Sequence, residues 1–330
     1  MYKLDIKDKK ILYELDVNSR QSNSEIGKKV GLSKEVVKYR IDTLIRKGII
    51  IKFQTVINYF KLGIIKHKLY LQLKNITKEK LEEIGNYLKN YKKTEWVALC
   101  TGKWDLIAGY LVNNINELDE EILDLMNRYH NYIKDKAITT TLHIVRHLRE
   151  YLKENEKNQT KKKMVYHTIQ DKKEQIDKKD LELLRLIVNN ARMPITELAL
   201  KLKLTPRIVQ YKLKQLEKKE IILDYKCHLD PHLFGRIFGK VIFYMSNITK
   251  PRLNEFVNYC SNIKESVWPQ RVIGNLDFEL DLEIENYENF QDKILDIKSK
   301  FSDIISNHEF CIVSKEFKLD LFPNAYPKFD

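Results

Sequence analysis

Apolar positions in the first fifty residues recur at helical spacing, in three separate runs. A capping box of Ser22 and Glu25 opens the second run, and Ser33 is suited to cap the third, which continues to about Lys47. Only a short turn at Gly31 separates these two runs, and two helices joined by so short a turn form a helix-turn-helix. The pattern therefore predicts three helices, the last two arranged as a helix-turn-helix.

A β-rich run from Ile49 to Ile57 follows the third helix. Its β-branched residues favour strands over a further helix. We expect two short strands, with Lys52 near the bend between them, to form a wing beside the third helix. Residues 1–63 are thus predicted to be a winged helix-turn-helix domain.

After Gly63 the pattern changes to alternating strand and helix signals, in the order strand, helix, strand, strand, helix, strand. The predicted elements cover residues 68–73, 78–90, 95–101, 105–112, 117–131 and 138–144. This order is the ferredoxin-like arrangement, in which helices cover one sheet face and leave the other bare. A bare apolar face needs a partner sheet, so we expect this domain to meet a second sheet.

The whole pattern returns 172 residues later without a gap. The shift carries Trp96 onto Trp268 and Gly102 onto Gly274. Because this period far exceeds the roughly 20 to 50 residues of solenoid repeats, it indicates a tandem duplication of complete domains. The predicted α+β chain has winged helix-turn-helix domains at 1–63 and 173–235, ferredoxin-like domains at 64–145 and 236–318, a charged linker at 146–172 and a C-terminal tail at 319–330.

The two segments outside the repeat have weaker patterns. The linker is rich in Glu, Lys, Asn and Gln and contains the basic triplet 161–163, which favours a solvated helical or partly disordered connector, with an extra phosphate contact as the alternative. The tail contains Phe322, Tyr326 and Phe329 with two prolines. We expect the tail to pack in an extended form on a neighbouring surface.

The net charge of +13 is concentrated in the first third of each copy and in the linker. Residues 1–63 have 14 basic and 7 acidic groups, and residues 173–235 have 13 and 9. Neutralising phosphates with Lys and Arg releases condensed counterions, so a polyanion is the expected partner of these segments. Lysine-rich composition that merely solvates helix faces is the alternative explanation.

Cysteine spacing and apolar runs restrict the class of protein. The cysteines lie far apart and do not recur between copies, which argues against a zinc site or a disulfide framework; they are Cys100, Cys227, Cys260 and Cys311. No apolar run approaches the ~20 residues that cross a bilayer, and the opening residues lack the apolar core of a signal peptide. We expect a cytoplasmic protein without membrane segment, metal site or cofactor.

Nucleic-acid contacts are expected at the front of the third helix in each copy. An apolar stripe of Val37, Ile41 and Leu44 packs inward and leaves short polar and bidentate groups outward. We assign DNA contacts to Ser33, Lys34, Glu35, Lys38 and Tyr39, to Thr205, Arg207, Gln210 and Tyr211, and to Lys52 of the wing. A three-helix bundle that binds protein is the alternative.

The combination of motifs resembles a known family. The Lrp/AsnC, or feast/famine, transcription regulators share the pattern Leu4-Asp5-x-x-Asp8, Arg20, Leu32-Ser33, Arg40 and Gly48-Ile49-Ile50, followed by Gly102-x-x-Asp105. The resemblance implies DNA binding through the winged helix-turn-helix, pairing through facing ferredoxin-like sheets, and an amino acid or related metabolite bound between those domains. Arg40 joins the DNA-contact candidates, together with Lys212, which replaces it in the second copy.

By the same resemblance, the effector site would be a loop that faces the last strand of its own domain. The loop contains Thr101, Gly102 and Asp105, and the strand supplies Thr139 and Thr141. The second copy keeps Gly274 and Asp277 but has Cys311 and Val313 in place of the threonines. A hairpin turn without ligand also explains these residues, since glycine allows positive φ and aspartate hydrogen-bonds locally.

Some relatives of these regulators are haem-precursor decarboxylases, so a tetrapyrrole enzyme is the alternative function. Such chemistry would need His, Tyr or Arg groups that converge on the ferredoxin-like face. His67, His130 and His143 have no histidine at the matching positions of the second copy. We therefore predict a sequence-specific DNA-binding regulator that is not an enzyme. Its expected partners are double-stranded DNA and an amino-acid-like effector, and its ferredoxin-like domains are expected to self-associate, as a pseudo-dimer of the two copies within one chain or as a higher oligomer.

Overall fold

The structure is a computed structural model that describes residues 2–153, 164–169 and 173–323. Within these residues the two copies contain the same succession of elements, apart from one extra strand between them. Two winged helix-turn-helix units and two ferredoxin-like units follow one another along the chain. The predicted α+β architecture is confirmed.

The first copy begins with three helices whose caps follow from the sequence. Ser22 accepts a hydrogen bond from the Glu25 amide, and Ser33 accepts one from the Val36 amide. The elements are α1 (Ile6–Val17), α2 (Asn23–Val30), α3 (Lys34–Arg46), β1 (Ile50–Ile57), β2 (Ile65–Leu73), α4 (Lys78–Asn90), β3 (Thr94–Gly102), β4 (Leu106–Val112), α5 (Ile115–Tyr129), β5 (Ile133–His147) and β6 (Met164–Thr168).

The second copy repeats this order, with Thr205 as N-cap and Pro206 in the first turn of its third helix. Lys203 occupies the left-handed position that Gly31 occupies in the first copy, with φ of 55° and 68°. The elements are α6 (Lys178–Ile187), α7 (Ile195–Leu202), α8 (Pro206–Lys218), β7 (Ile222–Leu229), β8 (Ile237–Met245), α9 (Lys250–Asn262), β9 (Ser266–Gly274), β10 (Phe278–Ile284), α10 (Tyr287–Lys300) and β11 (Ile305–Leu319).

The strand that follows the helix-turn-helix does not fold back on itself. β1 pairs antiparallel with β7 of the other copy, with Phe53 opposite Cys227, and the two strands form a separate sheet that we call the ribbon. The expected hairpin with Lys52 at its bend is therefore wrong. Lys52 lies within a continuous strand, because residues 50–57 find their hydrogen-bond partners in the duplicate segment.

The eight strands of the two ferredoxin-like domains close into one barrel. Their order is β2-β4-β3-β11-β8-β10-β9-β5, and β5 returns to pair with β2. The two seams between copies are β3 with β11 and β5 with β9, both antiparallel. The bare sheet face predicted from the sequence is thus covered by the other copy, and closure also leaves no free sheet edges among these eight strands.

Each helix-turn-helix packs on the ribbon strand of the other copy. The Ser19 amide donates to the Tyr225 carbonyl, and the Ala191 amide donates to the Phe53 carbonyl in the equivalent place. Leu229 belongs to the core of the first helical unit, and residues 56–57 belong to the core of the second. The two copies are therefore interleaved rather than docked side by side.

The segment between the copies differs from the predicted linker. β5 continues to His147, past the predicted boundary at residue 145, and β6 within the linker pairs with β5. A one-turn 3₁₀ helix, Glu150–Leu152, packs against α1. The basic triplet at 161–163 lies outside the described residues.

The described part of the tail supports the expectation that it packs on a neighbour. Leu321 and Phe322 are buried in the core of the second helical unit. Tyr326 and Phe329 lie outside the described residues. In the part of the chain that the structure covers, no helix is long and apolar enough to cross a membrane, and no group of three or more metal-ligating side chains is found.

Candidate nucleic-acid interface and ligand-binding regions

The front of α3 presents the predicted side chains to solvent. Lys34, Glu35 and Lys38 are exposed, and 67% of Tyr39 is accessible. Lys38 forms an i,i+4 ion pair with Asp42 at 2.5 Å, which is exposed and therefore weak. This end of the helix can approach a polyanion without first breaking a buried contact.

The front of α8 has a different set of exposed groups. Arg207 and Gln210 are exposed, Tyr211 is 63% accessible, and Thr205 is occupied as the N-cap through the Ile208 amide. An arginine and an amide side chain can each make bidentate contacts with base edges. The first copy has a glutamate, Glu35, where the second has Arg207, so the two fronts have different chemistry.

Two of the predicted DNA contacts are occupied within the protein. The Arg40 guanidinium donates to Asp5 at 2.7 Å and to Asp8 at 2.8 Å, and these hydrogen bonds raise its pKa. Lys212 binds Asp177 and Asp180 in the same way. Both basic groups hold the third helix against the first, so they are not free at the recognition surface.

Lys52 is also displaced from the predicted interface. Its ammonium group donates to the Leu319 carbonyl, and burial lowers its pKa. The ribbon directs it toward the barrel rather than toward the front of α3. No DNA contact is expected from this residue.

The motif residues Arg20 and Arg192 connect the two helical units. Arg192 donates to the Ser19 carbonyl at 2.6 Å, to the Gln21 carbonyl at 2.9 Å and to Asn23. Arg20 makes the reciprocal hydrogen bond to the Ala191 carbonyl. The repeated arginine thus fixes each helix-turn-helix to its counterpart.

The predicted effector loop lies at a seam. Gly102 has φ of 139°, and a Cβ there would lie 2.3 Å from the Phe310 carbonyl oxygen of the other copy. Gly274 has φ of 127° and lies equally close to the Ile138 carbonyl oxygen, at 2.4 Å. Both glycines are therefore required for close approach of two strands.

The aspartates of these loops connect each hairpin to the end of a neighbouring strand, β2 or β8. Asp105 accepts a hydrogen bond from the Leu73 amide at 2.7 Å, and Asp277 accepts one from the Met245 amide at 2.8 Å. The Arg271 guanidinium also donates to the backbone carbonyl oxygen and to a carboxylate oxygen of Asp277. Both aspartates therefore have structural partners, but on a neighbouring strand and not within the local turn that the hairpin explanation assumes.

Thr139 and Thr141 do not face the loop of their own domain. Thr139 lies opposite Gly274 on the β5–β9 seam, whereas Gly102 lies opposite Cys311 on the β3–β11 seam. Both threonines are buried; the Thr139 hydroxyl lies against Tyr70, and the Thr141 hydroxyl has no hydrogen-bond partner among the described residues. The predicted effector set is therefore divided between the two seams, because closure pairs each loop with the last strand of the other copy.

Charged side chains fill the middle of the barrel. Lys68 and Lys240, which occupy equivalent positions in the two copies, share Glu279 at 2.6 and 2.7 Å, and Lys240 also binds Asp281 at 2.5 Å. Burial lowers the pKa of Lys68 to about 8 despite Glu279. For Lys240, two carboxylates outweigh burial and raise the pKa. The carboxylates come from the second copy only.

A second buried network joins the barrel to the first helical unit. Arg149 binds Glu283 through two nitrogens, at 2.8 and 2.9 Å, and also binds Asp16 of α1 at 2.8 Å. Arg146 binds Asp16 at 2.7 Å and also contacts Asp224 of the ribbon. This junction fixes α1, the ribbon and β10 relative to one another.

A cavity of about 670 Å³ lies between the ribbon and the adjacent end of the barrel. Lys52 and Lys226 line it from the ribbon, and the duplicated pair Trp96 and Trp268 lines it from the barrel. Sequence reasoning missed this site, although the recurring tryptophans were a signal. The change from Gln54 in the first copy to Lys226 in the second places the additional charge there.

The winged helix-turn-helix DNA-binding family matches this chain twice, over residues 4–51 and 176–222. The HTH-type transcriptional regulator Ptr1 of Methanocaldococcus jannaschii is 35% identical over 129 residues, which cover 38% of this chain and 85% of that protein. One relative thus corresponds in length to roughly one copy of the repeat.

One solved structure matches nearly the whole chain, and another matches about one copy of the repeat. The siroheme decarboxylase NirDL has a TM-score of 0.61 and 14% identity, with 96% of this chain and 93% of that chain covered. This similarity is one of fold. An AsnC family transcriptional regulator from Agrobacterium tumefaciens covers 46% of this chain and 97% of its own, with 18% identity and a TM-score of 0.40. Three findings agree: the sequence motifs, the two helix-turn-helix matches and the Ptr1 relative. The chain therefore belongs to the Lrp/AsnC family of HTH-type transcriptional regulators, as a tandem duplication of the family unit.

Proposed function

We propose that this protein is a sequence-specific DNA-binding transcription regulator in which one chain supplies both recognition helices. The observation that carries the proposal is the pair of exposed fronts of α3 and α8, held on one interleaved scaffold. The excess positive charge of both helical units supports a phosphate-bearing partner. Such a regulator acts in the cytoplasm.

Selection of bound fragments from genomic DNA, followed by gel-shift titration at several salt concentrations, tests this function. We expect the logarithm of the affinity to fall linearly with the logarithm of salt, as counterion release requires. Lack of salt-sensitive binding at moderate ionic strength would contradict the proposal.

Substitutions on the two fronts locate the interface. Arg207→Ala and Lys34→Ala should each weaken binding by about 1–3 kcal/mol, or roughly five- to 150-fold, if they contact bases or phosphates. Lys89→Ala on the exposed face of α4 is the matched control and should bind like the unmodified protein. If both front variants also bind normally, the assignment of the recognition surface is wrong.

We further propose that an amino acid or related metabolite modulates the regulator at the loops of Gly102 and Gly274. Support comes from the family relationship and from the exposure of both loops. Calorimetric titration with each amino acid tests this point, with Thr101→Ala as the variant that leaves the seam glycines intact. If no amino acid binds, modulation at these loops is excluded.

A tetrapyrrole decarboxylase is the second candidate, favoured by the fold similarity to NirDL over nearly the whole chain. It predicts a tetrapyrrole absorption band that remains with the protein after reconstitution and gel filtration. If the protein stays colourless in this experiment, a tetrapyrrole decarboxylase function is excluded.

A further inference from the structure

The cavity between the ribbon and the barrel contains ammonium groups that form no close ion pair with a carboxylate of the described residues. Lys52, Lys226 and Lys318 all line it, and none forms a salt bridge with a described residue. Lys226 is only 2% accessible, and its ammonium group lies over the face of the Trp268 ring, 5.2 Å from the ring centroid. A buried ammonium group that lacks a counter-charge is costly, so it marks a place where an anion would be stabilised.

Several other charges around the cavity are neutralised within the protein. Lys66 binds Glu95 at 2.6 Å, and Arg149 binds Glu283. Glu316 bonds to His228 at 3.0 Å and accepts a hydrogen bond from Trp96 at 2.9 Å. Asp230 and Asp320 also line the cavity, and Asp320 raises the pKa of Lys52 and Lys318 against the effect of burial. The clearest uncompensated positive charge is therefore that of Lys226 on the ribbon.

The walls supply apolar area beside these charges. Trp96 and Trp268 lie on the barrel side, and Tyr59 and Phe238 also line the space. A volume of about 670 Å³ lies in the range of small-molecule sites, roughly 300–1,000 Å³. The combination matches a ligand with a charged end and a flat apolar body.

We propose that this cavity binds a small organic anion whose acidic group lies against Lys226 and Lys52 and whose planar apolar part packs on the tryptophan pair. The site is separate from the loops of Gly102 and Gly274, which lie at the opposite ends of β3 and β9. From Trp96 to Gly102 the strand extends about 20 Å, at roughly 3.3 Å per residue.

Occupancy of this cavity also bears on the recognition helices. β1 begins four residues after α3 ends, and β7 begins four residues after α8 ends. A ligand under the ribbon therefore contacts the strands that carry both helices. This regulatory consequence rests on the proposed function, whereas binding of the anion does not.

The first test uses the full chain and the fluorescent probe 1-anilinonaphthalene-8-sulfonate, an aromatic anion. Two of the three tryptophans line the cavity, so energy transfer from tryptophan to the probe reports its occupancy. We expect saturable binding of one probe per chain. Lys226→Gln, which installs the residue of the first copy, should weaken binding at least tenfold, and Lys89→Gln should not. Equal affinities of these two variants would overturn the proposal.

Competition defines the ligand chemistry. Indole-3-acetate should displace the probe, whereas the uncharged indole-3-acetamide should not, because it lacks the group that pairs with Lys226. Equal displacement by both compounds would overturn the assignment of an anion site. Far-UV circular dichroism checks that Lys226→Gln is folded, and Lys52→Met provides a second variant with the same expected loss. Since no DNA is present, a failed gel shift leaves these results unaffected.

The pH dependence provides an independent measurement. Lys226 is faced by Arg149 and Arg146 and by the carboxylates of Asp16 and Glu316, with Lys52 and His228 nearby on the ribbon. Burial lowers the pKa of Lys226 to about 7, so the free amine is neutral above that pH and must take up a proton when an anion binds. The dissociation constant should rise toward tenfold per pH unit above 7. A constant affinity from pH 6 to pH 9 would contradict the role of Lys226.

Discussion

Residues at equivalent positions of the two copies can differ in their effect on folding stability. Lys203 holds a left-handed conformation with φ of 55°, where the first copy has Gly31. A side chain in that conformation costs roughly 1–2 kcal/mol, partly offset by the higher backbone entropy that glycine loses on folding. The second copy therefore carries strain at the turn of its helix-turn-helix that the first copy avoids.

Lys203→Gly should raise the free energy of unfolding by about 0.5–1 kcal/mol, because glycine adopts this C-cap conformation without strain. Urea denaturation followed by circular dichroism measures the change. The matched variant Lys201→Gly lies inside α7 and should lower stability by about 1 kcal/mol. Destabilisation by both changes would show that the turn is not strained.

Glu121 should make stability depend on pH. Burial, assisted by Asp124, raises the pKa of Glu121 to about 8, so the folded protein keeps a proton that the unfolded chain loses above its ordinary value near 4.5. The unfolding free energy therefore falls as pH rises from 4.5 to 8. Glu121→Gln should stabilise by about 1–3 kcal/mol at pH 8 and have little effect near pH 4.5.

Thermal unfolding at several pH values checks this prediction. Glu120→Gln, on the exposed side of the same helix, should behave like the unmodified protein throughout. A stability difference for Glu121→Gln that does not change between pH 4.5 and pH 8 would contradict the raised pKa.

At the scale of elements, hydrophobic periodicity was sufficient to predict each helix and the order of the ferredoxin-like strands. Caps such as Ser33 and Thr205 also follow from local sequence. Strand pairing between copies did not follow, since periodicity gives the faces of a strand but not its partner. Lys52 was therefore placed in a wing and Thr139 opposite Gly102, whereas long-range pairing puts them in the ribbon and on the other seam.

Because strands approach closely at the two seams, replacing either seam glycine by alanine should strongly destabilise the fold. Gly102→Ala and Gly274→Ala should each lower the unfolding free energy by about 2 kcal/mol or more, because a Cβ would collide with a facing carbonyl oxygen in an unfavourable backbone region. Chemical denaturation measures the loss. Thr101→Ala, next to the seam glycine, should change stability little. Tolerance of alanine at both glycines would show that the strands are not as close as described.

At the scale of the whole molecule, duplication places two unlike recognition helices in one chain. The helix fronts differ in charge, with Glu35 in one copy and Arg207 in the other. We expect DNA sites with unlike halves, separated by about one helical turn or a multiple of it. The exact palindromes that suit identical subunits are not required.

Footprinting on a selected site measures this asymmetry. Arg207→Ala should weaken protection of one half-site, and Lys34→Ala should weaken the other, since each belongs to a different recognition helix. Affinity should not depend on a dimerisation equilibrium, because both helices are in one chain. Perfectly two-fold symmetric footprints, or equal loss of both halves with each variant, would indicate pairing between chains instead.

The closed barrel also constrains synthesis. Both seam partners of the first copy, β9 and β11, belong to the second copy, and β11 ends at Leu319. At roughly 5–20 residues per second, translation of the second copy takes on the order of ten to thirty seconds. During that interval the nascent first copy has two unpaired strand edges, so adjacent ribosomes on one messenger could exchange partners. Folding of this protein therefore depends on local capture by its own C-terminal half before a neighbouring chain arrives.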